Sequence, residues 1–423
     1  MVYVLLFLCA KFSYMNILML SATFPYPPTR GGTQVRTFNL LKYLSQRHAI
    51  TLLTQRDRTV TEAEIAGLRD CVDNLVVFER PPDSGNATGI LKKIQRFGQS
   101  LQQGIPQSVI NRYSTEMQVW VDNVVQQNKY DVITSEHSVN EIYVRSHFQQ
   151  KLKTIVNIHS SVYGTCRNQL TTGISENKLR DQINLPLLRR YEQKYCAKFS
   201  SIVVTTEEDK IQLKEFNPRS EITVIPNGVD LVTFPNRTQD SGGQKIVFIG
   251  AMDNLANIDS VCFFTKEVLP EIQKLYPNAT FDIVGSRPAP EVVALQQQPG
   301  VNVTGKVPSM AEYLHQSTVC VVPMRTGFGI KNKTLEAMAA GVPIVASDRG
   351  LEGLAVDGTN TPLRALRANK PAEYITAISQ LFENPQLRLQ LSSNGRQLVE
   401  TEFTWDIAGQ RYEQVCLGND SNK

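Results

Sequence analysis

Short, continuously apolar and β-branched runs recur along this chain and alternate with segments whose apolar residues follow a helical period. Strands that are apolar without alternation are typical of a parallel sheet buried on both faces. Repetition of strand and helix also predicts right-handed βαβ units. The sequence therefore predicts an α/β protein with strands at residues 16–20, 49–54, 75–78, 131–135, 154–158, 201–206, 222–226, 245–250, 280–285, 301–305, 318–324 and 343–347.

A polar, glycine-containing segment at residues 234–244 divides these strands into two series and is the best linker in the chain. A length of 423 residues suits two domains better than a single core. We predict two Rossmann-like domains, at residues 15–233 and 244–400, followed by a C-terminal helix and tail at 401–423. A ligand cleft is expected between the two domains.

Composition and local patterns exclude several classes of protein. The net charge is only +4 and no basic run is present, which argues against nucleic-acid binding. The seven cysteines are scattered and never spaced as CxxC, so we expect neither a disulfide framework nor a zinc site, and we expect a cytoplasmic protein. The apolar residues 2–10 are too few to span a membrane. They belong either to an extension, residues 1–14, that contributes little to the fold, or to a signal or anchor.

The first candidate motif is a glycine pair that follows the first predicted strand. Gly31 and Gly32 precede a helical pattern at residues 34–47. Glycines permit close backbone approach, and free amides at a helix N-terminus suit a phosphate or an anionic oxygen. A plain glycine turn between strand and helix is the alternative interpretation.

Polar side chains follow two predicted strands of the first domain. His159 comes directly after the strand at 154–158, and Glu136 and His137 come after the strand at 131–135. Ligands of open α/β sheets lie outside the carboxyl ends of strands, which is where these residues fall. An imidazole at this place could bond a substrate hydroxyl. Solvated loop residues are the alternative, more strongly so for Glu136 and His137.

A predicted tight turn lies near the junction of the two domains. Pro226 ends a strand, Asn227 and Gly228 form the turn, and Asp230 caps the next segment. Its residue types alone indicate a structural role.

The strongest motif is the segment 322–347, in which a buried strand leads through a glycine loop into a helix. Glycines and cations around a helix N-terminus suit a diphosphate, because amides, dipole and positive charges act together. Glu336, one turn further, could accept hydrogen bonds from a ribose diol. An exposed helix start with ordinary Lys–Glu pairing is the alternative. The loop and helix residues concerned are Arg325, Gly327, Gly329, Lys331 and Lys333.

From residue 15 to about residue 415, the chain resembles the retaining glycosyltransferases of family 4, which have the GT-B fold. It is similar to members that occur in bacterial polysaccharide and envelope-glycan synthesis. The resemblance includes the glycine pair and the histidine after a strand. It also rests on the motifs IPNGVD (225–230), FIGAM (248–252), FDIVGS (281–286), VNVTGKV (301–307) and GxGxKNKxLEAMAAGVPIVAS (327–347).

The resemblance implies a hexosyltransferase whose second domain binds a nucleotide sugar. Glu336 would bind the ribose, and Lys333 with Arg325 would neutralise the diphosphate leaving group. The loop glycines Gly327 and Gly329 would lie beside the donor. No divalent metal and no cofactor are expected, because cations and helix dipoles take the place of a metal and the chain has no DxD motif.

The resemblance also assigns residues around the donor sugar and the base. Amides at Gly31 and Gly32 would contact phosphate or sugar, and His159 would contact a sugar hydroxyl. Gly305 and Lys306 would border the nucleobase. Because no nucleophile is evident, retention of configuration implies front-face attack, in which the leaving phosphate helps to deprotonate the acceptor.

Two positions depart from the family pattern. Many relatives carry a glutamate eight positions before the ribose-binding one, where this chain has Phe328. Relatives also often place an Arg and a Lys soon after the strand that ends at Gly250, whereas residues 251–257 contain neither. We expect Arg325 and the nearby lysines to compensate.

The acceptor implied by the resemblance is a glycan or a lipid-linked glycan held mainly by the first domain. Residues 90–101 form a basic amphipathic pattern that suits peripheral contact with an anionic membrane. A helix packed in the core of the first domain is the alternative interpretation.

Other functions remain open at the level of sequence. A non-catalytic module that binds a sugar nucleotide or a glycan is one, supported by Phe328. Another GT-B enzyme, such as a sugar-nucleotide epimerase or hydrolase, is a second. A nicotinamide-dependent dehydrogenase is disfavoured, because no strand is followed by GxGxxG.

Overall fold

The computed structural model describes residues 14–28, 31–81, 104–173, 175, 177–327 and 329–418. Three features of the sequence lie outside the described residues: residues 1–13, the amphipathic segment 90–101, and Phe328.

The first domain contains a seven-stranded parallel sheet with spatial order β3-β2-β1-β4-β5-β6-β7. Alternate residues of the central strand point to opposite faces: Leu18 and Leu20 enter one core, and Ile17 and Met19 enter the other. Burial on both faces explains why this strand is apolar without alternation. The strands are β1 (Asn16–Ser21), β2 (Ala49–Arg56), β3 (Asn74–Glu79), β4 (Val132–Glu136), β5 (Lys153–Ile158), β6 (Ser201–Val204) and β7 (Ile222–Val224).

Helices cover this first sheet. Side-chain caps at their N-termini use Ser, Thr or Asn, as at Thr206, whose Oγ1 accepts from the Asp209 amide at 3.1 Å, and at Asn177, whose Oδ1 accepts from the Arg180 amide at 3.0 Å. The helices are α1 (Gly32–Ser45), α2 (Glu62–Arg69), α3 (Gln107–Ile110), α4 (Thr115–Gln126), α5 (Val162–Thr172), α6 (Lys178–Cys196) and α7 (Glu207–Phe216), with 3₁₀ turns at Ser138–Tyr143 and Ser146–Gln150.

The second domain contains a six-stranded parallel sheet with spatial order β10-β9-β8-β11-β12-β13. Its strands are β8 (Lys245–Ile249), β9 (Thr280–Val284), β10 (Val301–Gly305), β11 (Val319–Val322), β12 (Ile344–Ala346) and β13 (Leu366–Arg367). Around them lie α8 (Leu255–Phe263), a π-helical turn (Phe264–Val268), α9 (Leu269–Leu275), α10 (Pro290–Val293), a 3₁₀ turn (Ala294–Gln297), α11 (Met310–His315), α12 (Asn332–Ala339), α13 (Pro371–Glu383) and α14 (Pro385–Glu402). Two parallel sheets with helices confirm the predicted α/β fold class.

The last helix, α15 (Trp405–Leu417), returns to the first domain and packs on α1. Its Gly409 lies so close to Tyr43 that a Cβ added there would overlap the ring. Further along, Tyr412 donates to Glu136 Oε1 at 2.6 Å, across a sequence separation of 276 residues. The chain therefore crosses between the domains a second time at its end. In the described part of the chain, no helix is both long and apolar enough to cross a membrane.

Candidate functional site

Loops that follow the carboxyl ends of strands from both sheets meet at the junction of the two domains. Gly329, after β11, lies against Thr205, after β6, because a Cβ added to the glycine would be 3.4 Å from the threonine Oγ1. Nearby, the side-chain amide of Asn227 donates to Asn332 Oδ1 at 3.1 Å. Ligands of α/β sheets bind at carboxyl ends of strands, so this junction is the candidate site.

Two glycines shape the loop between β11 and α12. Gly327 and Gly329 have φ values of 95° and 75°, which other residues adopt only with strain. Lys331 then folds back, so that its Nζ donates to the Gly329 carbonyl and pairs with Glu352 at 3.1 Å. Burial lowers the pKa of Lys331, and the charge of Glu352 opposes this shift. Lys331 thus neutralises a buried acid of its own domain.

Lys333 points in a different direction from Lys331. Its Nζ donates to Asn257 Oδ1, on α8, at 2.6 Å and lies 4.8 Å from the centre of the Phe248 ring. Burial lowers the pKa of Lys333 to about 8, although the charge of Glu336 favours protonation. Its Cε also lies 3.3 Å from where a Cβ on Gly250 would stand. A cation therefore faces the end of β8, where the residues that follow the strand, 251–257, include no Arg or Lys.

Glu336 lies one turn after Lys333 on the same side of α12, and it is partly exposed. Burial raises the pKa of its carboxyl to about 7, and Lys333 acts in the opposite direction. Within the described residues, no hydrogen bond to this carboxyl is formed, and no side chain caps α12. The acid and the first amides of α12 can therefore bond a ligand.

Arg325 follows β11 but is engaged with α8. Its guanidinium pairs with both carboxylate oxygens of Asp259, with Nε to Oδ2 at 2.9 Å, and lies 5.0 Å from the centre of the Phe263 ring. The hydrogen bonds to Asp259 raise the pKa of Arg325. About half of its side chain, 52%, is exposed. The structure thus joins Lys333 and Glu336 on one helix, whereas Arg325 already has a carboxylate partner.

His159 and His137 meet at the carboxyl edge of the first sheet, because they follow the adjacent strands β5 and β4. Their rings stand edge to face with centroids 5.2 Å apart. Burial lowers the pKa of His159 well below its usual value and that of His137 to about 4, so both imidazoles are neutral. Neither ring nitrogen of His159 has a hydrogen-bond partner among the described residues. A neutral imidazole of this kind can bond a hydroxyl through one N–H donor and one acceptor nitrogen but carries no positive charge at pH 7.

The remaining predicted residues lie further apart. Gly31 and Gly32 begin α1, and no described side chain caps that helix. A Cβ on Gly32 would meet nothing within 4 Å. Gly305, with φ of 68°, ends the edge strand β10, and the exposed Lys306 follows it, two strands away from β8. Their assigned roles remain predictions.

Several residues of the junction were not predicted from the sequence. Asn257, the partner of Lys333, lies in the segment noted only for lacking cations. Arg36 is 1% exposed and holds Asn227 Oδ1 at 3.0 Å, and an arginine among the apolar positions of α1 was the available signal. Across the described residues, no three His, Cys, Asp or Glu side chains group closely enough to hold a metal ion.

Comparison with protein-family models yields two matches that together cover most of the chain. The model described as Glycosyltransferase Family 4 matches residues 30–233, and the model described as Glycosyl transferases group 1 matches residues 243–384.

Individual relatives are distant. The glycogen synthase of Mycobacterium tuberculosis is 24% identical over 209 residues, which are 47% of this chain and 49% of that protein, so the chain spans about half the length of this relative. Among solved structures, sucrose-phosphate synthase from Thermosynechococcus elongatus aligns with a TM-score of 0.66 at 17% identity, covering 96% of this chain and 98% of that one. Anabaena HepE, in complex with UDP and glucose, aligns with a TM-score of 0.61 at 15% identity, covering 95% and 99%.

Proposed function

Since the chain belongs to the family 4 glycosyltransferases of the GT-B fold, we propose that it transfers a hexosyl group from a nucleotide sugar to a glycan or lipid-linked acceptor, with retention of configuration. This proposal rests on one observation. Lys333 and Glu336 both lie in the first turns of α12 at the junction of the domains, and the Glu336 carboxyl has no hydrogen-bond partner among the described residues. This is the place where a donor would bind.

In this proposal, the diphosphate of the donor lies against the N-terminus of α12. Lys333 supplies a positive charge, and the first amides of the helix supply hydrogen bonds. The bond between Lys333 and Asn257 holds the cation near the end of β8 before any ligand arrives. A negative diphosphate would also raise the pKa of Lys333 from about 8 and so favour its protonated form.

Glu336 would accept two hydrogen bonds from the ribose diol. Its carboxyl has no internal partner within the described residues, so binding breaks no existing bond there. Burial opposes the ionisation of Glu336, and hydroxyl donors would favour the ionised form.

We propose that the reaction uses front-face attack. As the bond from the anomeric carbon to the phosphate oxygen breaks, the acceptor hydroxyl adds from the same side. Its proton passes to the leaving phosphate. Lys333 and the helix dipole stabilise the charge that develops on that phosphate, which is the largest catalytic effect available to these groups. We assign this charge neutralisation to the protein rather than to a metal ion.

His159 would orient the donor sugar. Its ring is neutral, and both of its nitrogens lack partners among the described residues, so one can donate to and the other accept from sugar hydroxyls. The imidazole therefore binds a hydroxyl and takes no part in proton transfer.

We also propose that the acceptor is reached at an anionic membrane surface from the cytoplasmic side. The exposed side of α6 carries five cations among its described residues, whereas its acids Asp181 and Glu192 are buried. Leu179 and Ile183 are 70% and 48% exposed on the same helix. Basic and apolar side chains together suit such a surface. The cations are Lys178, Arg180, Arg189, Arg190 and Lys194.

The first test of function is a thermal-shift panel of UDP, GDP, ADP, CMP and their sugar conjugates. A ligand at 100 times its Kd stabilises a protein by about 2.7 kcal/mol, which raises Tm by several degrees. Selective stabilisation by one base identifies the donor class. Product analysis by NMR then gives the anomeric configuration, and an inverted product would overturn the front-face mechanism.

The same assays separate the alternative functions. Donor binding without any product would support a non-catalytic binding module, and product formation that needs no acceptor would support an epimerase or hydrolase. For the membrane proposal, we expect sedimentation with phosphatidylglycerol vesicles but not with phosphatidylcholine vesicles. Replacing Arg189 and Arg190 by glutamate should abolish it, and unchanged sedimentation of that variant would remove α6 from the membrane surface.

A further inference from the structure

Arg36, a buried arginine of the first domain, is connected by hydrogen bonds to α12 of the second domain, the helix that carries Lys333. The Arg36 side chain is 1% exposed, and burial lowers its pKa to about 10, so it stays protonated at pH 7. Its Nε and Nη2 donate to Asn157 Oδ1 at 3.1 and 3.0 Å, and its Nη1 donates to Asn227 Oδ1 at 3.0 Å. A buried charge is costly unless it is well paired, so these bonds restrict where both asparagines can stand.

Asn227 carries this restraint across the junction. While its Oδ1 accepts from Arg36, its Nδ2 donates to Asn332 Oδ1 at 3.1 Å. Asn332 is the first residue of α12 and directly precedes Lys333. The backbone at the next residue is equally restricted, because a Cβ on Gly228 would overlap the Trp405 amide nitrogen.

The other end of the connection lies in the first sheet. Asn157 Nδ2 donates to Glu136 Oε2 at 2.7 Å, and Tyr412 of α15 donates to the other oxygen of that carboxyl. Asn157 is the second-last residue of β5, and His159 directly follows the end of that strand. One arginine is thus bonded to the strand that presents His159 and, through Asn227, to the helix that presents Lys333.

We propose that Arg36 and Asn227 are positioning residues for the donor: they hold the N-terminus of α12 in a fixed relation to the His159 end of β5. The inference rests on the proposed function, because the groups being aligned are its donor-binding groups. Arg36 and Asn227 do not touch the reacting atoms. They act through Asn157 and Asn332.

The test compares Asn227→Ala and Asn332→Ala with a control of the same residue type, Asn394→Ala. Asn394 is also half-buried and donates to Leu363 O at 2.8 Å, away from the junction. We expect each junction variant to raise the donor Kd, measured by calorimetry with the nucleotide found in the thermal panel, by about five- to tenfold. The control should change Tm without changing Kd.

The double variant Asn227→Ala/Asn332→Ala distinguishes a connection from two separate contacts. If the asparagines act through one another, the double variant raises Kd no further than the weaker-binding single variant. Additive effects, or single variants that bind like the wild type, would overturn the proposal.

Hydrogen exchange of residues 331–339 supplies a readout that needs no ligand. We expect faster exchange at the start of α12 in Asn227→Ala than in the wild type or in Asn394→Ala. If no nucleotide binds the wild type, the proposed function fails while this measurement still decides the positioning role. Unchanged exchange in that case overturns the connection itself.

Discussion

A 2.6 Å hydrogen bond from Lys333 Nζ to Asn257 Oδ1 ties the start of α12 to α8. The two residues follow β11 and β8, which are neighbours in the second sheet. Since Asn257 is uncharged, the bond orients the ammonium group without neutralising it. Lys331, two residues earlier, is neutralised by Glu352 instead. The two lysines of one motif therefore have different physical roles, and substitutions at each should have different consequences.

Replacing Lys333 by alanine should lower kcat/KM for sugar transfer by roughly 30- to 1000-fold. This corresponds to about 2–4 kcal/mol of lost transition-state stabilisation at the departing phosphate. Lys266→Ala is the control, because that lysine is exposed on the π-helical turn. Turnover that survives in Lys333→Ala at the wild-type rate would remove Lys333 from the reaction.

Replacing Lys331 by methionine should lower stability by about 1–2 kcal/mol, because buried Glu352 loses one cationic partner while it keeps Arg349, whose Nη1 lies 2.9 Å from its Oε2. Thermal unfolding measures the loss. Adding Glu352→Gln should recover part of it, since the second change removes the buried negative charge that Lys331 helped to balance. A Lys331→Met variant with unchanged Tm but impaired donor binding would reverse the roles of the two lysines.

Donor affinity should depend on pH in a bell shape. Binding requires Glu336 ionised and Lys333 protonated. Affinity therefore rises as pH increases through about 7, where Glu336 loses its proton, and falls as pH increases through about 8, where Lys333 does. Each limb should approach about a tenfold change per pH unit.

Single variants should remove one limb of this profile each. Calorimetric titration with nucleotide between pH 5.5 and 9 is expected to lose the acidic limb in Glu336→Gln and the alkaline limb in Lys333→Ala. Identical profiles in the wild type and Glu336→Gln would mean that another group controls the acidic side.

Gly409→Ala should destabilise the protein by about 1–3 kcal/mol, because the new methyl group would overlap the Tyr43 ring and push α15 from α1. The matched control is Gly395→Ala, another helical glycine. There the nearest neighbour of the new Cβ would be the flexible Met338 side chain, at 3.3 Å, and the Arg364 carbonyl oxygen would lie at an ordinary contact distance of 3.6 Å. A better helix former is also gained. Equal unfolding temperatures for the two variants would contradict this account of how α15 docks.

Much of the fold could be predicted because both sheets are buried on both faces. Each predicted strand position holds a strand, since residues such as Ile17 and Leu18 must both be apolar when they enter opposite cores. Strand β13 was not predicted, because its two residues are too few to show an apolar pattern. The glycine loop and helix around Lys333 were also predicted, because glycines with positive φ and a helix start leave a local signal.

Local sequence determined the strands, the helices and the glycine loop, because these depend on neighbouring residues and on a simple inside–outside pattern. Only the tertiary structure decided which lysine meets Glu352 and which faces the end of β8, because residues two apart at a helix start point in different directions. It also decided that His137 meets His159, and that Arg36 is bonded through Asn227 to Asn332. These contacts join residues far apart in the chain, and their partners are set by how the two sheets and the returning helix pack.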